Sequence, residues 1–323
     1  MIILDSELKE LGEVDVDIDI EIGSAEKATN DFELTNATLQ DINPGGFYFP
    51  GTELGGVIEY DKSRTTQDYS VLKGYTWRGL LSKWIIMPDA GEDYKIVSGE
   101  ANAVIASLLN GVLGDFFTVS SEDSGLTLSN YQFPLYINML DGIEGMLESE
   151  GYRLKIEGKK VTSGQPIIVE ASAVAAQVVS GTFNEDNGIP MSFTNDGMGI
   201  NHLICGGSGE LQDRMIKHLY IDENGEVSNT QYYTGFDERQ EFFDYPSAES
   251  EEDLIDYGKE RLLEICSHKS LEMKAPEDLE LEIGDLVRGT FPDGTIIESP
   301  VVVKIYKINN GTVTFEYQIK GEE

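Results

Sequence analysis

Apolar and polar residues alternate along the chain with two different periods, and the sharpest stretch is Gly12 to Gly23, GEVDVDIDIEIG. Val14, Val16, Ile18, Ile20 and Ile22 interleave with Glu13, Asp15, Asp17, Asp19 and Glu21. A period of two over this length predicts a β-strand with one oily and one acidic face, because a helix would scatter the acids around its circumference. The β-branched residues agree, since they suit a pleated, half-buried surface. Like charges on that face repeat every ~6.8 Å, twice the rise per residue, and have to face water.

Strand-like patterns resume at Asp31 to Leu39, at the aromatic run Phe47 to Phe49 between turns at Asn43-Pro44-Gly45-Gly46 and Pro50-Gly51, and at Gly55 to Tyr60 and Tyr69 to Leu72. The period then changes. Within Gly74 to Pro88, the residues Trp77, Leu80, Leu81, Trp84 and Ile85 follow helical spacing, so Trp77 and Trp84 are expected on one face as core anchors. Further helices are expected over Ser98 to Leu113, with Ser98 as N-cap, and over Ile137 to Glu150, ending at Gly151. Short strands at Phe116 to Val119, Tyr152 to Glu157 and Ile167 to Glu170 make this middle region α/β.

Beyond Ser180 the hairpin dipeptides Asn187-Gly188, Asp196-Gly197, Asn224-Gly225, Asp293-Gly294 and Asn310-Gly311 accumulate. One helix, Glu249 to Cys266, interrupts them, with Ser250 and Asp253 spaced as a capping box. Strands follow at Val301 to Tyr306 and Thr312 to Lys320. The fold class expected is α+β, predominantly antiparallel β. Several strands with one flanking helix occur once before Pro88 and again after Ser180, as two related barrel-like domains would require. The expected division is 1–88, 89–175 and 176–323, with the helix 249–266 in the last part.

Length and composition sharpen the picture. A chain of 323 residues exceeds one ordinary core. Its 59 acidic and 23 basic residues give a formal charge of -36, which opposes tight binding to nucleic-acid phosphates or anionic membranes. A hydrophobic fraction of 40% is that of a folded protein and not of an acidic tail. No secretory leader or membrane segment is expected, since MIILDSELKE lacks a basic, then apolar pattern and no run of 18 apolar residues occurs. Cys205 and Cys266 are expected as buried free thiols.

Candidate chemistry is thin. Asp15, Asp17, Asp19 and Glu26 approximate calcium-loop spacing, but Ile20 stands where such a loop needs glycine. His202 with Cys205, and Cys266 with His268, offer soft ligands for zinc or a Cys/His hydrolase pair, without the spacing of an established pattern. Gly206-Gly207-Ser208-Gly209 lacks the Gly-Lys-Ser/Thr ending of a phosphate loop. No catalytic residue, metal set or cofactor is assigned, and a structural or interaction protein is favoured over an enzyme.

The order of motifs adds to this. Asp31-Phe-Glu-Leu34, YFPGTELGG from Tyr48, GYTWRGLLSKWIIMP from Gly74 and Ser98-Gly-Glu-Ala-Asn-Ala103 form one series. Asn201-His-Leu-Ile-Cys205, Gly209-Glu-Leu-Gln-Asp-Arg214, His218-Leu-Tyr220, YPSAES from Tyr245 and Ile283-Gly-Asp-Leu286 continue it. This series resembles the tail-hub (baseplate hub) proteins of tailed phages and prophages of Gram-positive bacteria. The resemblance implies a homotrimeric ring in the virion tail, assembled in the host bacterial cytoplasm, in which each chain supplies two tail-tube-like β-barrel domains. It further implies partners above and below: the distal tail protein and tail tube, the tape-measure protein, and a spike or receptor-binding/fibre assembly.

In that setting Glu13, Asp15, Asp17, Asp19 and Glu21 are candidates to face a lumen or its rim. An acidic wall would let genomic DNA pass without tight binding, since its repulsion extends over a Debye length of roughly 8 Å. An ordinary solvated outer face is the other reading. A peptidoglycan- or glycan-acting tail-tip enzyme is the alternative function, and a carbohydrate-binding β-protein a weaker one.

Overall fold

The computed structural model describes residues 1–25, 27–36, 45–63, 70–160, 164–183, 191–196, 199–209, 211–222, 225–248, 250–266, 268–273, 281–290 and 296–319. The chain divides into two compact units, one of residues 1–191 with 273–319 and one of residues 192–272 with 320–323. It is mostly antiparallel β, and no closed barrel is found among the described residues.

The first unit begins with β1 (Ile2–Leu4), β2 (Glu10–Glu13), β3 (Asp17–Gly23), β4 (Asp31–Asn36), β5 (Gly46–Tyr48), β6 (Gly55–Ser63) and β7 (Ser70–Thr76). Helix α1 (Trp77–Leu81) leads to β8 (Ile96–Glu100), α2 (Ala101–Leu109), β9 (Phe117–Val119), β10 (Thr127–Gln132) and α3 (Met139–Glu148). There follow β11 (Tyr152–Lys159), β12 (Ile168–Ala175) and β13 (Val178–Phe183). The second unit takes in β14 (Met191–Asp196), β15 (His202–Gly206), β16 (Ile216–Ile221), β17 (Val227–Ser228), β18 (Gln240–Asp244), α4 (Glu251–Ile265) and β19 (His268–Met273). The chain then returns to the first unit as β20 (Leu286–Thr290), β21 (Ile296–Asn309) and β22 (Thr312–Ile319).

In the first unit one broad sheet runs β22-β21-β3-β4-β7-β6-β5-β1-β2, with β20 on β21 and β13 parallel to β20. Ile18, Ile20 and Ile22 of β3 are buried, together with Phe32 and Leu34 of β4 and Leu72 of β7, so the oily face reads as expected. The acidic run, however, is not one strand. Glu13 ends β2, paired with Ile2, whereas Asp17 opens β3, and Val14 to Val16 form the bend between two strands that lie apart in the sheet order. Alternation alone cannot mark such a bend, because the inward and outward parity resumes after it.

Helix α1 is shorter than its pattern. Thr76 caps it, its Oγ1 accepting from Gly79 N at 3.1 Å, and it stops at Leu81. The chain then extends: Met139 N donates to Trp84 O at 2.8 Å and Ile86 N to Ile137 O at 2.9 Å. Trp77 is fully buried, but Trp84 is 43% exposed. The expectation of Trp84 as a core anchor is corrected, since a residue past the last turn no longer shares the helix face.

Helix α2 starts at Ala101, and its cap is Glu100 instead of Ser98, which lies in β8. Burial pushes the Glu100 carboxyl up, but hydrogen bonds from the Ser124 hydroxyl and the N–H groups of Asn102, Ser124 and Ala103 outweigh it and bring it to about 2. Helix α3 is capped by Asn138 and buries Leu140, Ile143, Met146 and Leu147. Two small sheets, β8 with β10 and β9-β12-β11, join these helices in one core with Trp77 and Leu81.

The second unit is a four-stranded sheet, β17-β16-β15-β18, with α4 on one face. The expected capping box is present: Ser250 Oγ accepts from Asp253 N at 3.1 Å and Ser250 N donates to Asp253 Oδ2 at 3.0 Å. Of the hairpin dipeptides, Asn310-Gly311 joins β21 to β22 with φ of 48° and 76°, the left-handed pair that a two-residue turn needs. Asn187-Gly188 and Asp293-Gly294, along with Gly197, Asn224 and the turn at Asn43-Pro44, lie outside the described residues.

Candidate functional site: the acidic sheet face

Antiparallel register determines what stands beside the acids of β3. Asp19 is opposite Glu33 of β4 on one side and Lys307 of β21 on the other, and Glu33 is opposite Lys73 of β7. The row across four strands therefore reads Lys73, Glu33, Asp19, Lys307. Its ends close as ion pairs, Lys73 Nζ to Glu33 Oε2 at 2.5 Å and Lys307 Nζ to Asp19 Oδ2 at 3.2 Å. Rows on either side add Asp17, opposite Thr35, and Glu316, opposite Ile305, which also pairs with Glu21. The face is thus acid-rich with a cation at each flank.

Each expected acid can be placed. Glu13 and Asp15 are exposed, while Asp17 and Glu21 are half-buried. Asp17 Oδ1 accepts from Asn310 N at 2.7 Å, holding the β21–β22 turn against the start of β3. Glu21 Oε1 accepts from Thr29 N at 2.7 Å. Asp17 and Glu21 thus anchor local backbone as well as contributing to this face. The calcium reading does not fit, because Asp17 and Asp19 are two positions of a hydrogen-bonded strand and not of a loop; Glu26 lies outside the described residues.

The first unit also contains a buried charge cluster that sequence reading missed. The Arg78 guanidinium contacts the carboxylates of Glu53 and Glu144, and its Nη2 donates to Leu154 O at 2.8 Å. Arg78 is 1% exposed and Glu53 7%. One cation cannot neutralise two buried carboxylates. Burial accordingly raises the Glu144 carboxyl, helped by Asp141 and Glu53, against the opposing pull of Arg78. Beside it lies a mostly apolar cavity of about 130 Å³, whose wall includes Glu148, Arg153, Ile283 and Pro300. Arg153 Nε pairs with Asp285 Oδ1 at 2.7 Å.

In the second unit the suspected zinc and hydrolase residues separate. His202 and Cys205 lie three apart on β15 and so point to opposite faces, Cys205 toward α4. Burial pushes the Cys205 thiol up to about 11, so little thiolate forms at neutral pH. Cys266 is also buried and outside any disulfide, its Sγ donating to Leu263 O at 3.2 Å, and the side chain of His268 lies outside the described residues. His202 instead meets two groups that the sequence did not connect with it: its Nδ1 lies 2.5 Å from Glu238 Oε1 and its Nε2 2.7 Å from His218 Nδ1. Among the described residues no helix is long and apolar enough to cross a membrane.

Among the solved structures similar to this chain are a prophage tail protein, a further tail protein, a phage baseplate chain and a component of a type VI secretion system. The prophage tail protein gp18 from Listeria monocytogenes EGD-e is 13% identical, with 99% of this chain and 93% of that chain covered and a TM-score of 0.44. The tail protein from Neisseria meningitidis MC58 is 11% identical, with 98% and 94% covered and a TM-score of 0.47. A chain of the phage P2 baseplate in its activated conformation is 12% identical, with 95% and 88% covered and a TM-score of 0.45. No family model and no curated protein matches the chain.

Proposed function

We propose that this chain is a structural hub of a phage or phage-like tail, acting without catalysis as an adaptor between the tail tube and the tip. Three copies form a ring, the acid-rich sheet face borders its passage, and DNA crosses without being held. The observation that carries this reading is the meeting of two motifs of the hub-like series. Glu53 of YFPGTELGG and Arg78 of GYTWRGLLSK form a buried ion pair 25 positions apart. The stretches that carry the resemblance therefore build one packed junction, which supports reading them as parts of a single architecture.

Within this proposal, residues 1–88 and 176–323 are the two tube-like modules and 89–175 the smaller module between them. The antiparallel pairing of β3 with β21 supplies a direct link between the two outer modules. The partners are those of a hub: distal tail protein and tube, tape-measure protein, and spike or receptor-binding proteins. The net charge of -36 keeps the isolated chain soluble and leaves a phosphate backbone little to grip.

Negative-stain imaging of the purified chain tests the reading, with a threefold ring and central hole expected. A monodisperse monomer that releases reducing sugar or peptide from peptidoglycan would overturn it.

A further inference from the structure

The face of the second unit's sheet opposite α4 holds a hydrogen-bonded chain that a tail-hub role does not use. His202 on β15 is opposite Tyr220 on β16, and Ile204 is opposite His218, so the two histidines are diagonal neighbours on one face. Tyr220 lies against His202 at 4.3 Å between ring centroids. Glu238 is fixed from behind by its neighbours: Asn201 Nδ2 donates to Asp237 O at 2.8 Å, and Asn201 Oδ1 accepts from Arg239 N at 2.9 Å. Gln240 Nε2 adds a hydrogen bond to Glu238 Oε1 at 2.9 Å.

The contacts run in the order Glu238 Oε1, His202 Nδ1, His202 Nε2 and His218 Nδ1, so His202 Nε2 is directed at His218 Nδ1. Two imidazole nitrogens thus converge on one point, and the inner ring has a carboxylate at its back. That carboxylate–histidine order is how metal-ligating histidines are oriented and made more basic.

We propose that His202 Nε2 and His218 Nδ1 bind a divalent transition-metal ion of the zinc class, with Glu238 positioning the His202 ligand. The ion replaces the proton now shared between the rings. The displaced proton exchanges with solvent, each ring carries its remaining proton on the nitrogen away from the ion, and two nitrogen lone pairs face the ion. Zn–N bonds of about 2.0–2.1 Å in tetrahedral geometry place the nitrogens about 3.3 Å apart. The present separation of 2.7 Å has to open by roughly 0.6 Å. His218 is exposed and can make that adjustment, whereas His202 is buried. Water completes the coordination, since no group of three or more His, Cys, Asp or Glu among the described residues is arranged for a metal. Calcium and magnesium are not expected here, because they require oxygen ligands.

Calorimetric titration of the full chain with ZnCl₂, alongside the visible spectrum of bound Co²⁺, tests the site. One saturable site is expected, undisturbed by excess Ca²⁺. His218→Ala, at an exposed position that leaves the core intact, should weaken it at least tenfold; Glu238→Gln should weaken it about 10- to 100-fold. Cys205→Ala, on the opposite face of β15, should leave it unchanged. Absence of saturable binding, displacement by Ca²⁺, full affinity in His218→Ala or loss in Cys205→Ala would each overturn the proposal.

Discussion

Arg78 and Glu144, separated by 66 positions, meet as an ion pair inside the first unit, and the other side of the same guanidinium is taken by Glu53. The cluster ties α1 to α3 and to the loop before β6, and Leu154 O receives a further donor from Arg78 on behalf of β11. Removing the arginine would leave Glu53 and Glu144 without their shared buried partner. Arg78→Leu should destabilise the unit by about 3–5 kcal/mol, and adding Glu53→Gln and Glu144→Gln should recover much of that. Urea denaturation of the single and triple variants checks this. Equal losses in both would show that the packing of the arginine stem, not its charge, carries the effect.

The same cluster makes stability depend on pH. Folding raises the Glu144 carboxyl from 4.5 to about 8, so the native state keeps a proton that the unfolded chain gives up. The associated stability is fully present below the unfolded value and falls as pH rises from 4.5 through about 8. Unfolding midpoints measured between pH 5 and 8.5 should decline for the wild type, and Glu144→Gln should flatten the decline. A slope that survives this substitution would place its origin elsewhere.

Trp77 and Trp84 should differ sharply. Trp77 is fully buried, so Trp77→Ala should cost about 3–5 kcal/mol. Trp84 is 43% exposed, and its replacement by Ala should change stability by no more than about 0.5 kcal/mol. Acrylamide quenching gives an independent check, since emission from Trp84→Phe should be the less quenchable of the two single-tryptophan proteins.

Gly258 brings α4 close to its sheet. A Cβ there would lie 2.6 Å from Cys205 Sγ and 2.7 Å from Leu219 Cδ1. Although alanine is the better helix former, Gly258→Ala should destabilise the second unit by about 1–3 kcal/mol. Pairing it with Cys205→Ala should restore part of the loss, measured as a double-mutant cycle. Strict additivity would rule out the steric account.

Charge on the acidic face should govern contact with DNA. Asp15→Lys with Asp19→Lys turns two repelling groups into attracting ones at exposed positions, and Asp19 now faces Lys307 across the strand pair. The wild type should not retain duplex DNA in a mobility-shift assay at low salt, and the variant should do so in a salt-sensitive way. Identical behaviour of both proteins would count against a passage lined by this face.

Repeating patterns were legible in the chain, and single contacts were not. The alternation of Ile18, Ile20 and Ile22 against acids, the Ser250–Asp253 cap and the Asn310-Gly311 turn each leave a local signature, and each has its expected form. The bend at Val14 to Val16 was invisible because it preserves parity. The early end of α1 was hidden because a backbone pairing between 84–86 and 137–139 overrides helical spacing. Likewise Arg78, Glu53 and Glu144, or His202, His218 and Glu238, are scattered charges and rings with no periodic relation. Only the folded chain brings them together.

The pairing of β3 with β21 joins residues 18–23 to residues 303–308, so the central strand of the first unit waits for a neighbour that the ribosome makes long after it. The second unit, drawn from 192–272 apart from residues 320–323, leaves the exit tunnel before β21 and can mature first. During synthesis the edge of β3 therefore stands open, and acids at alternate positions keep that unpaired edge from recruiting a strand of another nascent chain. A translation product that halts near residue 295 should accordingly lose the first unit and retain the second.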